Sequence, residues 1–393
     1  MKATSKGQSY LKLLVIVYAG NFIAPFGAGL FTSIIPAVEK TFSTSVEYIA
    51  LATAIYMFSF GASQAVSGTA SDVVGRKPFL LLGFFLFGFG GLLAAAIPDA
   101  NIFLISRVFQ GIGDGIMNPL FLLLLGDNIK EDVRPKAISI LVSSVMAGLT
   151  FGSYIGGCLG LDWQLAFWAM GIYSLVLFVF AFPFIKNKLP TVTHQQVSVI
   201  TNIKLVFKNK VAIVVTIVGF ALYFTRVGAF TLLSDALGTP KIHLSYYDIG
   251  LVFTVAGIAS IISGPVAGIL DTKIGCIKTT ILGLVGLSAA YFSFLHQSFL
   301  EYLFLIMFLL GFSHSLIAAS LNTMIVKSVK QASGTATSLF FTFMGFAMGV
   351  GPVLLLPVYR DFFVQGIGVA CALINFSMIA LIWKIRTIEQ NNR

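Results

Sequence analysis

The chain has 393 residues, of which 25 are Lys or Arg, 15 are Asp or Glu and 57% are apolar types. Its mean hydropathy of +0.94 and charged fraction of 10% stand against about 25% charged residues in an ordinary soluble domain, so there are too few charges to cover a soluble surface. This excludes a soluble enzyme, a nucleic-acid binder and a disordered chain, and the pI near 9.5 does not restore nucleic acid, because the basic residues sit in short pieces between apolar runs.

A helix needs about 20 apolar residues to cross roughly 30 Å of hydrocarbon. The runs predict twelve such spans, at 11–38, 48–70, 79–97, 102–126, 137–161, 165–185, 211–234, 248–270, 280–297, 302–326, 335–357 and 363–385. They lack the dyad alternation of barrel strands, and backbone satisfaction in lipid leaves helices. The first run continues past a signal-peptide core without a convincing cleavage site and reads as a retained span. Cys158, Cys276 and Cys371 form no disulfide or metal spacing.

The connections alternate in charge. One side holds Lys2, Lys6 and Lys12, then Arg76 and Lys77, then Lys130, Arg134 and Lys136, and so on to Lys384 and Arg386; the other holds only Lys40, Lys241 and Arg360. The positive-inside rule predicts that the basic side and both termini are cytoplasmic. Trp163, Trp168 and Trp383 fall near span ends and suit interfacial belts. The long connection 186–210 is a basic linker between an N-terminal bundle, 1–185, and a C-terminal bundle, 211–393. Its segment V-S-V-I-T-N-I-K-L-V-F-K can alternatively form a short amphipathic surface helix.

Span 2 ends with Gly68, Asp72, Gly75 and Arg76, and about two hundred residues on span 8 ends with Gly268, Asp271 and Gly275. The second copy has one extra residue between Asp and Gly and lacks the Arg. A weak six-plus-six duplication of this kind is a transporter signature. In span 4, Arg107 and Asp114 lie seven residues apart, two turns along one face. Charges at such depth are costly and mark functional candidates, although an Arg near the edge can snorkel and the acid can serve a structural ion pair.

These motifs resemble the major facilitator superfamily along essentially the whole chain. Gly68-x3-Asp72-x2-Gly75-Arg76-Lys77 is similar to its loop 2–3 motif, and Arg107-x2-Gln110-Gly111-x-Gly113 to its span-4 motif. Gly152-Ser153-Tyr154-Ile155-Gly156-Gly157 is similar to the antiporter motif of the twelve-helix drug:proton antiporters, with Ser153 where proline is usual. The resemblance implies an all-α fold of two pseudo-symmetric six-helix bundles. It implies that Asp72 caps the start of span 11, near Ser333, and that Gly148, Gly152, Gly156 and Gly157 of span 5 pack against span 8 of the other half. It also implies that spans 1, 4, 7 and 10 line the transport path.

Those four spans carry Asn21, Asp114, Arg226 and His314 at similar depth, with Asn118 and Asn322 farther along the same spans. Phe22, Phe26, Tyr223 and Phe224 beside them suit either apolar substrate contacts or packing. Asn21 can equally be a helix–helix hydrogen bond, and His314 an interior hydrogen-bonded imidazole. The expectation is a proton-coupled antiporter exporting small lipophilic or amphiphilic compounds by alternating access, of the multidrug-resistance type. It is a multi-pass monomer of the plasma (cell inner) membrane whose partners are substrate, protons and lipid, with no metal, cofactor, nucleic acid or enzymatic activity. A second reading of the same residues is an organic-anion or metabolite carrier, since Arg107 and Arg226 favour negative substrates.

Overall fold

The computed structural model describes residues 2–130, 133–185, 199–296, 299–329 and 332–391. Among them every regular element is helical. α1 (Lys2–Phe42), α2 (Val46–Val74), α3 (Arg76–Ala96), α4 (Ala100–Asn128), α5 (Arg134–Leu159) and α6 (Gln164–Phe184) are followed by α7 (Val199–Lys208). Then come α8 (Lys210–Gly238), α9 (Tyr246–Lys273), α10 (Cys276–Phe292), α11 (Leu303–Ser328) and α12 (Ser333–Asn391). α12 is two helical arms joined at Phe363, whose φ of 54° and ψ of −145° break the helix. Ten single helices and this double one are long and apolar enough to cross a bilayer, which gives twelve spans and a multi-pass membrane protein.

Several helices begin at side-chain caps, which satisfy backbone donors that would otherwise be orphaned. Asp99 accepts from the amides of Asn101 and Ile102 at α4, Asn209 from Ala212 at α8, and Ser245 from Asp248 at α9. The two copies of the repeated motif adopt the same backbone: Gly75 has φ 103° and ψ 158° between α2 and α3, and Gly275 has φ 88° and ψ 151° between α9 and α10. Only glycine takes such a conformation cheaply. The turn is therefore shared by the halves even though the Asp–Gly spacing is not.

The chain divides into two compact units, Met1–Ser45 with Ile55–Thr193, and Val46–Ala54 with His194–Arg393. In the first, α1 packs on α5, and α3 on α4 and α6. Large side chains of α6, among them Val176, Val179 and Phe182, are exposed, as lipid contact requires. Trp163 differs from expectation. It is 1% exposed, donates Nε1–H to Thr41 Oγ1 at 3.1 Å and is ringed by Phe42, Phe103 and Phe167. It is a core aromatic, whereas Trp168 and Trp383 are exposed. The span-5 glycines face α1 of the same unit. A Cβ at Gly148 would meet Phe22 O at 2.5 Å and one at Gly156 would meet Leu30 O at 2.8 Å, while one at Gly152 would collide with Phe26 O. These glycines are spent on bringing α5 against α1 of their own unit. Gly157 is buried beside them. Ser153, in the proline position, donates to Gly29 O at 3.3 Å and to Leu149 O at 3.0 Å, a bond to α1 that a proline could not make.

In the second unit α8 packs on the first arm of α12, repeating the α1–α5 contact, and α9 packs on α11. Of the connection expected as a linker, residues 186–198 lie outside the described residues, and Val199–Lys208 forms the helix α7. Val206 is buried in the core of the second unit, with Leu205 half-buried against it, so this stretch is docked rather than solvated. Glu47, in the part of α2 that belongs to this unit, accepts from Arg360 Nε at 2.8 Å.

Candidate functional site

In the first unit the site is built on α4. Arg107 is 3% exposed and donates from Nη1 to Gln110 Oε1 at 2.7 Å, one turn along the same helix. Its guanidinium carbon lies 4.2 Å from the centroid of Tyr56 and 4.6 Å from that of Phe31, so aromatic faces from α2 and α1 sandwich the cation. Tyr56 in turn donates its hydroxyl to Asp114 Oδ2 at 2.8 Å. Asp114 stands at the midpoint of α4, half-buried. The pattern Arg107-x2-Gln110-Gly111 thus has a mechanical reading. Gln110 aims the guanidinium, and Gly111 has no Cβ to collide with Tyr56 O, so α2 comes close enough to set Tyr56 between cation and carboxylate.

Tyr56 is the residue that the sequence reading missed. It lies in an apolar run with other aromatics, and nothing in its spacing sets it apart. Two acids were missed for another reason, because they fall just past the predicted ends of their spans. Asp127 accepts from Arg76 Nε at 3.3 Å, while Arg76 Nη1 donates to Ser71 Oγ at 2.7 Å. Asp235, buried near the end of α8, accepts from the Tyr359 hydroxyl.

The remaining candidates fall in different places. Asn21 is buried, and its Nδ2 donates to Leu141 O at 2.9 Å and Ser144 Oγ at 3.0 Å, joining α1 to α5. Asn118, one turn beyond Asp114, accepts from Gln64 Nε2 at 3.3 Å. The side chains at positions 68 and 72 lie outside the described residues, so the capping role expected of Asp72 has no structural account. Its counterpart Asp271 accepts from Ser320 Oγ at 2.7 Å, tying α9 to α11, and lines a cavity of about 610 Å³ with Cys276, Lys278, Lys327 and Trp383. Arg226 and His314 belong to α8 and α11 of the second unit. The Tyr223 ring stands edge-on to His314 with centroids 5.1 Å apart, and the Arg226 guanidinium lies 4.8 Å from the Phe230 centroid. Asn322 is half-buried on α11, about two turns beyond His314.

The family model described as Major Facilitator Superfamily matches residues 17–352. The chain belongs to the Major Facilitator Superfamily. It is therefore a transporter, not an enzyme. Among its relatives in this superfamily, the MFS-type transporter YwfA of Bacillus subtilis (strain 168) is 25% identical over 383 residues, 93% of this chain and 89% of that protein. The multidrug resistance protein MdtL of Vibrio parahaemolyticus is 24% identical over 255 residues, 64% of this chain and 62% of that protein. Solved superfamily structures share the fold. A mutant of the nucleoside transporter NupG superposes with a TM-score of 0.79 at 13% identity, covering 95% of this chain and 99% of that one. The human organic anion transporter MFSD10 superposes with a TM-score of 0.70 at 16% identity, covering 94% and 99%.

Proposed function

We propose that this superfamily member is a proton-coupled exporter of small lipophilic or amphiphilic compounds, working by alternating access in the plasma membrane with both termini cytoplasmic. The observation that carries the reading is the Tyr56–Asp114 hydrogen bond of 2.8 Å beside the buried Arg107. A carboxylate in a membrane interior is costly and is retained where it exchanges protons or binds ions. Here a phenol and a cation support its charged form, and a proton supports its neutral form. The proton therefore competes with the internal partners, so protonation can be tied to a change in helix packing. A proton moving inward gains about 2.3 kcal/mol per 100 mV, enough to drive an uphill export step. The similarity to MdtL supports the multidrug direction.

The test is transport by the purified full chain in proteoliposomes, with lipophilic dyes as probes and an imposed pH gradient. Accumulation that follows the gradient and collapses with a protonophore is the expected result; rates indifferent to the gradient would remove proton coupling. The second reading, an organic-anion or metabolite carrier, is favoured by one observation: Arg226 carries a buried Nη1 with no hydrogen-bond partner among the described residues.

A further inference from the structure

Two buried nitrogens in the second unit, Arg226 Nη1 on α8 and His314 Nε2 on α11, find no hydrogen-bond partner among the described residues. Arg226 is half-buried with its Nη1 buried, and a buried donor left unsatisfied is costly, more so on a charged group. Native interiors seldom retain such groups without a ligand, ion or water to meet them. The two belong to one neighbourhood. The Tyr223 ring packs edge-on against the imidazole with centroids 5.1 Å apart, and Tyr223 lies about one turn before Arg226 on the same face of α8, so His314 of α11 meets the face that carries the guanidinium. The Phe230 ring lies against the guanidinium, with its centroid 4.8 Å from the central carbon.

The described carboxylates of this unit are engaged elsewhere or exposed. Glu47 accepts from Arg360, Asp235 from Tyr359, Asp271 from Ser320 and Asp248 from Ser245, while Glu301 and Asp361 are exposed. Among the described residues the second unit thus supplies a cation and an imidazole beside aromatic rings, with no carboxylate hydrogen-bonded to either. We propose that Arg226 and His314 form a receptor for the carboxylate of a monoanionic amphiphile, with Tyr223 and Phe230 flanking its apolar part. One guanidinium supplies one charge and a planar fork of donors that suits a carboxylate, and the His314 tautomer protonated at Nε2 adds a neutral donor. This narrows the substrate class and rests on the transporter reading above.

The test uses the purified full chain in nanodiscs and three probes of one skeleton: phenylbutyrate, phenylbutanamide and phenylbutylamine. Calorimetric titration is expected to show the acid binding about 10- to 150-fold more tightly than the amide, the range for a hydrogen bond to a charged group. The amine is expected to bind more weakly still. Arg226→Gln should erase the preference for the acid, Arg226→Lys should keep part of it, and His314→Phe should reduce it by a smaller factor. Equal affinity for acid and amide, a preference for the amine, or an acid preference unchanged in Arg226→Gln would each overturn the proposal. If Arg226→Gln does not fold, the wild-type comparison of acid with amide decides. Proteoliposome uptake separates the two levels. An acid that binds but is never carried removes the amphiphile as a transported substrate and leaves the receptor standing; an amide carried as well as the acid removes the receptor and leaves the transporter.

Discussion

Replacing Gly148 by Ala probes the α1–α5 contact on which the first unit is built. The new Cβ would lie 2.5 Å from Phe22 O and 3.0 Å from Phe26 N, while ordinary contact begins at 3.4 Å. The helices must therefore part by about 0.9 Å at this point, in an interior packed to crystal-like density. The opposing atoms are backbone and cannot rotate away, so the cost falls in the upper part of the range for overpacking, about 2–3 kcal/mol. Alanine returns about 1 kcal/mol in helix propensity, leaving a net loss of about 1–2 kcal/mol. Gly268, in α9, is the matched control, because a Cβ there meets nothing within 4 Å and Gly268→Ala keeps only the propensity gain of up to about 1 kcal/mol. Equilibrium unfolding of both variants in the same mixed micelles should place Gly148→Ala below wild type and Gly268→Ala at or above it. Equal stability of the two variants, or the reverse order, would refute the claim that backbone proximity dictates glycine in α5.

Three further substitutions test separate contacts. Tyr56→Phe removes the hydroxyl on Asp114 but keeps the ring beneath Arg107; losing a hydrogen bond worth about 1.5–3 kcal/mol should lower gradient-driven transport about tenfold or more, measured as initial rates, with the fold retained. Asn21→Ala deletes two bonds to α5 and should cost about 0.6–1.7 kcal/mol of stability with the substrate KM unchanged; a KM shift without a stability loss would instead put Asn21 on the substrate path. Asp127 is 42% exposed, whereas its partner Arg76 is 7% exposed. Asp127→Asn should therefore cost at most about 1 kcal/mol, and Arg76→Gln, which also loses the Ser71 bond, should cost more in the same unfolding assay.

The spans were legible because bilayer thickness imposes a length that few other folds share. The repeat was legible because Gly75 and Gly275 must serve the same positive-φ turn. Arg107 and Asp114 stood out because charge within an apolar run is rare. What sequence could not show depends on packing between helices. Tyr56 joins the site only because Gly111 admits α2, and in the sequence it is one aromatic among many. Asp127 and Asp235 were read past because α4 and α8 run to Asn128 and Gly238, beyond where hydropathy ends the predicted spans. The outward pull of the interface on tryptophan suggested a belt for Trp163, but a hydrogen bond to Thr41 and three phenylalanines bury it instead. Gly148, Gly152 and Gly156 announced a close helix contact, yet only the folded structure identifies α1 as the helix opposite.

The central claim is that Asp114 carries the coupling proton. Substrate counterflow and gradient-driven transport, measured on Asp114→Asn in the same proteoliposomes, test it most directly. The account predicts that the variant still exchanges labelled for unlabelled substrate across the membrane but no longer accumulates it when a pH gradient is imposed. Accumulation at the wild-type level in Asp114→Asn would contradict it.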